Sequence, residues 1–172
     1  RDDQTIYNQY KGTTTYGKNK ELEFEKVLEG RDWENTDEFT FTISSTDEDA
    51  PMPNNTSLTV KNSTRDHKVN FGTISFTEED VNRVYHYTVS ESFDTSKIQS
   101  VAPAEDVKEG ISFTIKVEYT TEGKLSLVVS DYENTFTNIY ETTTKTAKKI
   151  WSYDNDRDGK RDDYDNLYIA VK

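Results

Sequence analysis

The sequence contains no cysteine, which removes disulfides, thiol nucleophiles and thiolate metal sites together. Histidine is almost as scarce. Only His67 and His86 are present, too few for a His-rich metal centre, and His86 alternates with Tyr85 and Tyr87, so it points away from their face. No stretch approaches the roughly 18 apolar residues a membrane-spanning helix needs. Neither end reads as a signal peptide, lipidation site or sorting signal, so the chain is expected to be an internal piece of something longer. Cationic charge is in deficit, with 21 Lys and Arg against 33 Asp and Glu and a net charge of -12. Such a balance disfavours nucleic acid as a partner and insertion at an anionic membrane. The three prolines fall in two polar links, 47–55 and 93–109, which are expected to be surface loops.

What remains is a β protein. Hydrophobic content is 31% and mean hydropathy -0.95, low for a globular chain. Yet the 11 Tyr, 8 Phe and 2 Trp sit mostly in runs alternating with Thr, Val and Ile, which argues against disorder. Period-two alternation predicts strands over 21–28, 38–43, 57–61, 67–76 with a bend at Gly72, 84–91, 111–119, 124–130 and 135–140. Short polar links between them point to an all-β fold, an antiparallel β-sandwich of immunoglobulin-like type. Thr121-Glu122-Gly123 is the turn of a hairpin. Thr77 caps a single helical turn whose acidic residues lie at its positive end.

Three of these strands carry a polar residue on their apolar face. Side chains two apart share a face, so Lys26 follows Leu22 and Phe24 inward, Glu91 follows Tyr87 and Val89, and Asn138 follows Phe136. Singly, each has an ordinary reading: a snorkelling lysine, an exposed strand-end glutamate, a turn asparagine. Together they place an amine, a carboxyl and a carboxamide in one core, where an unpaired charge is costly. Such a triad is hydrogen-bonded together or it reacts. The reaction available is an intramolecular Lys-Asn isopeptide bond. A free lysine with a pKa of about 10.4 costs about 4.6 kcal/mol to deprotonate at pH 7. Burial lowers an amine pKa and raises a carboxyl pKa, so a buried pair can exist as amine plus carboxylic acid. Protonated Glu91 would then polarise the Asn138 carbonyl, Lys26 would attack, and Glu91 would carry a proton to the departing ammonia.

The blocks Phe24-Glu25-Lys26-Val27-Leu28-Glu29-Gly30-Arg31-Asp32, Glu38-Phe39-Thr40-Phe41, Tyr87-Thr88-Val89-Ser90-Glu91 and Phe136-Thr137-Asn138-Ile139-Tyr140 together resemble the isopeptide-linkage domain of Gram-positive major pilins and related adhesins. The resemblance covers about residues 20–141, in the family's order. It implies a β-sandwich stalk module with Lys26 as amine, Asn138 as acyl donor and Glu91 as catalytic carboxyl. It also implies an extracellular location on a cell wall or pilus, and neighbouring modules or pilin subunits of the same fibre as partners. No clear sortase pilin motif is present; Thr15-Tyr16-Gly17-Lys18-Asn19 has glycine where proline is expected, which weakens Lys18 as a linkage site.

The flanks repeat a pattern. Ile6-Tyr7-Asn8-Gln9-Tyr10 echoes Phe136-Thr137-Asn138-Ile139-Tyr140, and a Thr-rich stretch follows each, as expected of strand end and linker in a tandem array. Residues 1–19 then read as the tail of a preceding module or a linker, 20–141 as the sandwich, and 142–172 as a linker and the first strands of a following module. That last segment resembles the opening of a collagen-adhesin B-type repeat in Lys149-Ile150-Trp151 and the Asp-rich turn after it. Asn8 and Lys149 are thus candidate crosslink residues of neighbouring modules. In the turn, Asp154, Asp156, Asp158, Asp162 and Asp165, with Gly159, match a calcium-loop spacing. However, Asp165 is shorter than the usual glutamate, Arg157 and Arg161 dilute the charge and no flanking helix is evident, so a plain acidic turn is favoured and no cofactor is required.

The alternative is a ligand-binding sandwich that presents aromatics such as Trp33, Tyr132 or Tyr153 to a host glycan or protein. Turnover enzymes find little support, since Glu78-Glu79 and Glu105-Asp106 read as solvated loop charges.

Overall fold

The computed structural model describes residues 12–105 and 107–141. Their strands are β1 (Thr13–Tyr16), β2 (Glu23–Glu29), β3 (Glu38–Ser45), β4 (Ser57–Lys61), β5 (Lys68–Asn70), β6 (Ile74–Thr77), β7 (Val84–Phe93), β8 (Val101–Pro103), β9 (Ile111–Tyr119), β10 (Leu125–Val129) and β11 (Thr135–Tyr140). A five-stranded sheet runs β10-β9-β7-β3-β4, a four-stranded sheet runs β5-β2-β11-β8, and β1 pairs with β6 in a separate ribbon. The two larger sheets pack face to face through inward aromatics, such as Phe41 on β3 against Phe136 on β11 at 5.1 Å between ring centroids. This is the β-sandwich the alternation predicts, and its buried set includes Phe24, Phe39, Tyr87, Phe113 and Ile115.

Alternation explains the faces. In β7 the inward positions are Tyr85, Tyr87 and Val89 while His86 is exposed, and β2 buries Phe24 and Lys26. The expected turns are also present. Gly123 adopts a positive φ of 76° between β9 and β10, and Thr77 accepts a hydrogen bond from the Glu79 amide while the Asp80 carboxylate accepts from the Thr77 amide, closing a capping box.

The structure departs from the sequence expectations in four places. The strand expected over 67–76 breaks at Gly72, which has a φ of 88°, so β5 joins the four-stranded sheet and β6 pairs elsewhere. Thr13–Tyr16, read as flank, is a strand paired with β6. The link 93–109 is more than surface loop: it contributes β8, paired with β11, and buries Ile98 and Val107. Pro103 is tolerated there because β8 is an edge strand. Finally, all strand pairs among the described residues are antiparallel except one, the parallel pairing of β2 with β11.

Candidate functional site

That parallel pair brings the amine and the amide together. The register sets Phe136 level with Lys26 and Asn138 level with Leu28, so Asn138 lies one inward position beyond the lysine on the neighbouring strand. Opposite them, β3 and β7 pair Phe41 with Glu91, and Glu91 continues the inward face of Tyr87 and Val89 across the sandwich.

The three side chains meet in the core. Lys26 is 2% exposed, Asn138 0%, and the Glu91 side chain 4%. Glu91 Oε1 accepts a hydrogen bond from Asn138 Nδ2 at 2.5 Å, and Glu91 Oε2 lies 3.4 Å from Lys26 Nζ. The amine donates to the backbone carbonyls of Val27 at 2.8 Å and Phe136 at 3.2 Å and sits 4.5 Å from the Phe39 ring centroid. In the neutral form of the amine, those two carbonyls would engage both of its protons and leave the lone pair free. Two buried polar atoms, Glu91 Oε2 and Asn138 Oδ1, have no hydrogen-bond partner among the described residues. Such orphans are uncommon in a folded core.

The electrostatics push both titratable groups toward neutrality. Burial lowers the Lys26 amine to about 8, against the opposing pull of Glu91. Burial likewise raises the Glu91 carboxyl above the usual carboxylate range, although Lys26 and Asn138 pull it back. An amine that gives up its proton readily therefore stands beside a carboxyl that holds one readily.

The other expected residues fare differently. Tyr132 is not displayed outward: its ring stacks between Phe113 at 4.5 Å and Phe24 at 5.9 Å, and its hydroxyl donates to the Glu21 carbonyl and bonds Tyr16. Trp33 is half-buried, stacked on His67 at 4.0 Å and edge-on to Phe39. Lys18 is exposed in the turn after β1. Asn8, Lys149, Tyr153 and the acidic positions Asp154, Asp156, Asp158, Asp162 and Asp165 lie outside the described residues. Among the described residues no cluster of His, Asp or Glu could hold a metal ion, and no helix is long and apolar enough to cross a membrane.

Sequence reasoning missed a neighbour of the site, Asp37, which is 1% exposed and paired with Arg31 at 2.6 Å. Its position just ahead of the alternating Glu38-Phe39-Thr40-Phe41 run read as a strand boundary, and only burial reveals it.

No curated protein matches this sequence. Residues 22–141, which contain β2 to β11 and all three members of the triad, match the FctA family, the Spy0128-like isopeptide containing domain. With that match over most of its length, the chain belongs to the FctA family of isopeptide-containing domains.

Proposed function

We propose that Lys26 and Asn138 join in an isopeptide bond promoted by Glu91, and that the sandwich serves as a tension-carrying stalk module of a surface fibre. The observation that carries the reading is a buried amine, lowered to about 8, 3.4 Å from the carboxyl that accepts a hydrogen bond from the asparagine amide.

At pH 7, deprotonating an amine of pKa about 8 costs about 1.4 kcal/mol, against about 4.6 kcal/mol for a free lysine. Desolvation thus removes most of the first barrier. The neutral Lys26 nitrogen attacks Asn138 Cγ, the new C–N bond forms, and the bond from Cγ to Nδ2 breaks. Protonated Glu91 gives its proton to the departing nitrogen, which leaves as ammonia, and takes a proton back from the attacking nitrogen. In the observed orientation Glu91 already contacts the leaving nitrogen. Turning the amide over would set Oδ1 against a protonated Glu91, the arrangement that polarises the carbonyl. The group is used once, so the module is a structural protein rather than a turnover enzyme.

The mechanical role follows from the parallel register. A bond between β2 and β11 lets tension pass from one strand to the other without loading the strands that lie between them along the chain. Family membership supports a pilin-type structural module, neighbouring subunits of the same fibre as partners and an extracellular surface as its location.

Intact mass is the direct test. The folded chain is expected to weigh about 17 Da less than its sequence mass, one ammonia, with peptide mapping placing the loss at Lys26–Asn138. Glu91→Ala should abolish that loss while leaving a folded sandwich. Full sequence mass in homogeneous folded protein would sink the crosslink, and normal mass loss in Glu91→Ala would move the acid role to another residue.

A further inference from the structure

Asp37 is a second buried carboxylate beside the triad, and the chemistry above does not use it. Arg31 donates to it from both terminal guanidinium nitrogens, at 2.7 Å to Oδ2 and 2.6 Å to Oδ1, and the Glu34 amide donates to Oδ2 at 2.7 Å. Arg31 also donates to the Asp32 carbonyl at 2.7 Å and lies 5.4 Å from the Tyr140 ring centroid. Gly30, with a φ of 88°, packs so closely that a Cβ would come within 2.7 Å of the Tyr140 carbonyl oxygen. The segment linking β2 to β3 is therefore drawn onto the end of β11. Those strands are the ones that matter: β2 carries Lys26, β11 carries Asn138 two residues before Tyr140, and β3 pairs with the strand that carries Glu91.

The pair also bears on charge. The carboxylates whose field reaches Lys26 are Glu91, from β7, and Asp37, from the link just ahead of β3. β11 faces the amine with the Phe136 carbonyl, and β3 with the Phe39 ring. A bare Asp37 carboxylate would favour the ammonium form, which cannot attack. Arg31 supplies a bidentate cation that is never deprotonated.

We propose that Arg31 and Asp37 are positioning residues for crosslink formation, clamping the amine strand and the amide strand in reacting register while Arg31 neutralises the one carboxylate near the amine that takes no part in the chemistry. This inference rests on the Lys26–Asn138 reading.

The test is the pH–rate profile of ammonia loss, followed by mass after the unfolded full chain is released from urea by dilution. Arg31→Gln is expected to move the midpoint of the profile up by about one pH unit and slow formation about tenfold at pH 7. The double variant Arg31→Gln/Asp37→Asn, which keeps an acceptor for the Glu34 amide but has no charge on either side, is expected to return the midpoint to about that of the unmutated chain. Should Arg31→Gln fail to fold, Asp37→Asn decides instead: it leaves the Arg31 cation uncompensated and is expected to bring the midpoint below that of the unmutated chain, and an unmoved midpoint there would overturn the proposal. A midpoint unmoved in Arg31→Gln, or one that stays just as high when Asp37→Asn is added, would overturn the proposal and leave the pair a support of the fold. Absence of mass loss in the unmutated chain would instead overturn the underlying reading.

Discussion

Two buried polar clusters lie side by side in this sandwich and are built to opposite ends. In Arg31–Asp37 the carboxylate oxygens are filled by two guanidinium nitrogens and a backbone amide. Burial pushes the Asp37 carboxyl upward, but the Arg31 and Glu34 hydrogen bonds outweigh it and hold the group below the ordinary range. It is a saturated ion pair. In Lys26–Glu91–Asn138 an oxygen of the carboxyl and the oxygen of the amide are left without hydrogen-bond partners among the described residues, and burial moves amine and carboxyl toward their neutral forms. The contrast teaches that burial of charge alone does not mark a reactive site. What separates the two is whether the hydrogen bonds favour the ions or leave desolvation to win.

The largest effect that breaks the comparison comes from force. Pulled between residues 12 and 141, the crosslinked chain is expected to release little beyond β1 and the approach to Lys26, on the order of 50 Å at roughly 3.3 to 3.6 Å per residue. In Lys26→Ala the same pull should free a further 110 or so residues, on the order of 360 to 400 Å before the folded length is subtracted. A long extension in the unmutated chain would show that the bond is absent or joins other strands. Chemical denaturation should agree, with Glu91→Ala less stable than the crosslinked chain by about 4 to 5 kcal/mol on the chain-entropy account of a closed loop of this size.

Next in size is the saturated pair. Asp37→Ala leaves Arg31 without its bidentate partner and the Glu34 amide without its acceptor, and it should cost about 3 to 5 kcal/mol in urea unfolding. A loss below about 1 kcal/mol would mean that the pair is screened like an exposed one.

The triad should respond to pH in the opposite sense from an ordinary ion pair. In the uncrosslinked variant Asn138→Ala, folding lowers the Lys26 amine from an unfolded value near 10.5 to about 8. Between those values the unfolded state binds the extra proton, so stability rises with pH. Going from pH 7 to pH 9.5 should stabilise this variant by about 2 kcal/mol. Beyond pH 10 the gain is opposed, because burial raises the Tyr87 and Tyr132 hydroxyls above their ordinary value. Stability that falls steadily from pH 7 to pH 9.5 would show the amine to be solvated.

The smallest effect lies in a third cluster. Tyr132→Phe removes the hydroxyl that bonds Tyr16 and the Glu21 carbonyl, while the ring keeps its place between Phe113 and Phe24. A loss of about 1 kcal/mol is expected, with no change in ammonia release. A slower release would extend the site well beyond its present bounds.

Much of the site is legible in the amino-acid sequence, because strand parity is a local rule. Once Leu22 and Phe24, Tyr87 and Val89, and Phe136 point inward, Lys26, Glu91 and Asn138 must follow. Arg31 and Asp37 escape that rule because they sit in a link, where no alternation states which way a side chain turns. β1 and β8 escape it because strands of four and three residues are too short for a period to register.

The amino-acid sequence by itself determined an all-β sandwich, its alternating faces, its capped turn at Thr77 and the three polar residues forced into its core. Only the tertiary structure decided that the first strand of the family domain and its last lie parallel and adjacent, that Gly72 sends the two halves of one apolar run to different pairings, and that one buried carboxylate is saturated while the other is not. The physical reason is range. Side-chain alternation is set by the backbone within two residues, whereas strand pairing and desolvation depend on groups about 110 positions apart meeting in a medium that the rest of the chain has emptied of water.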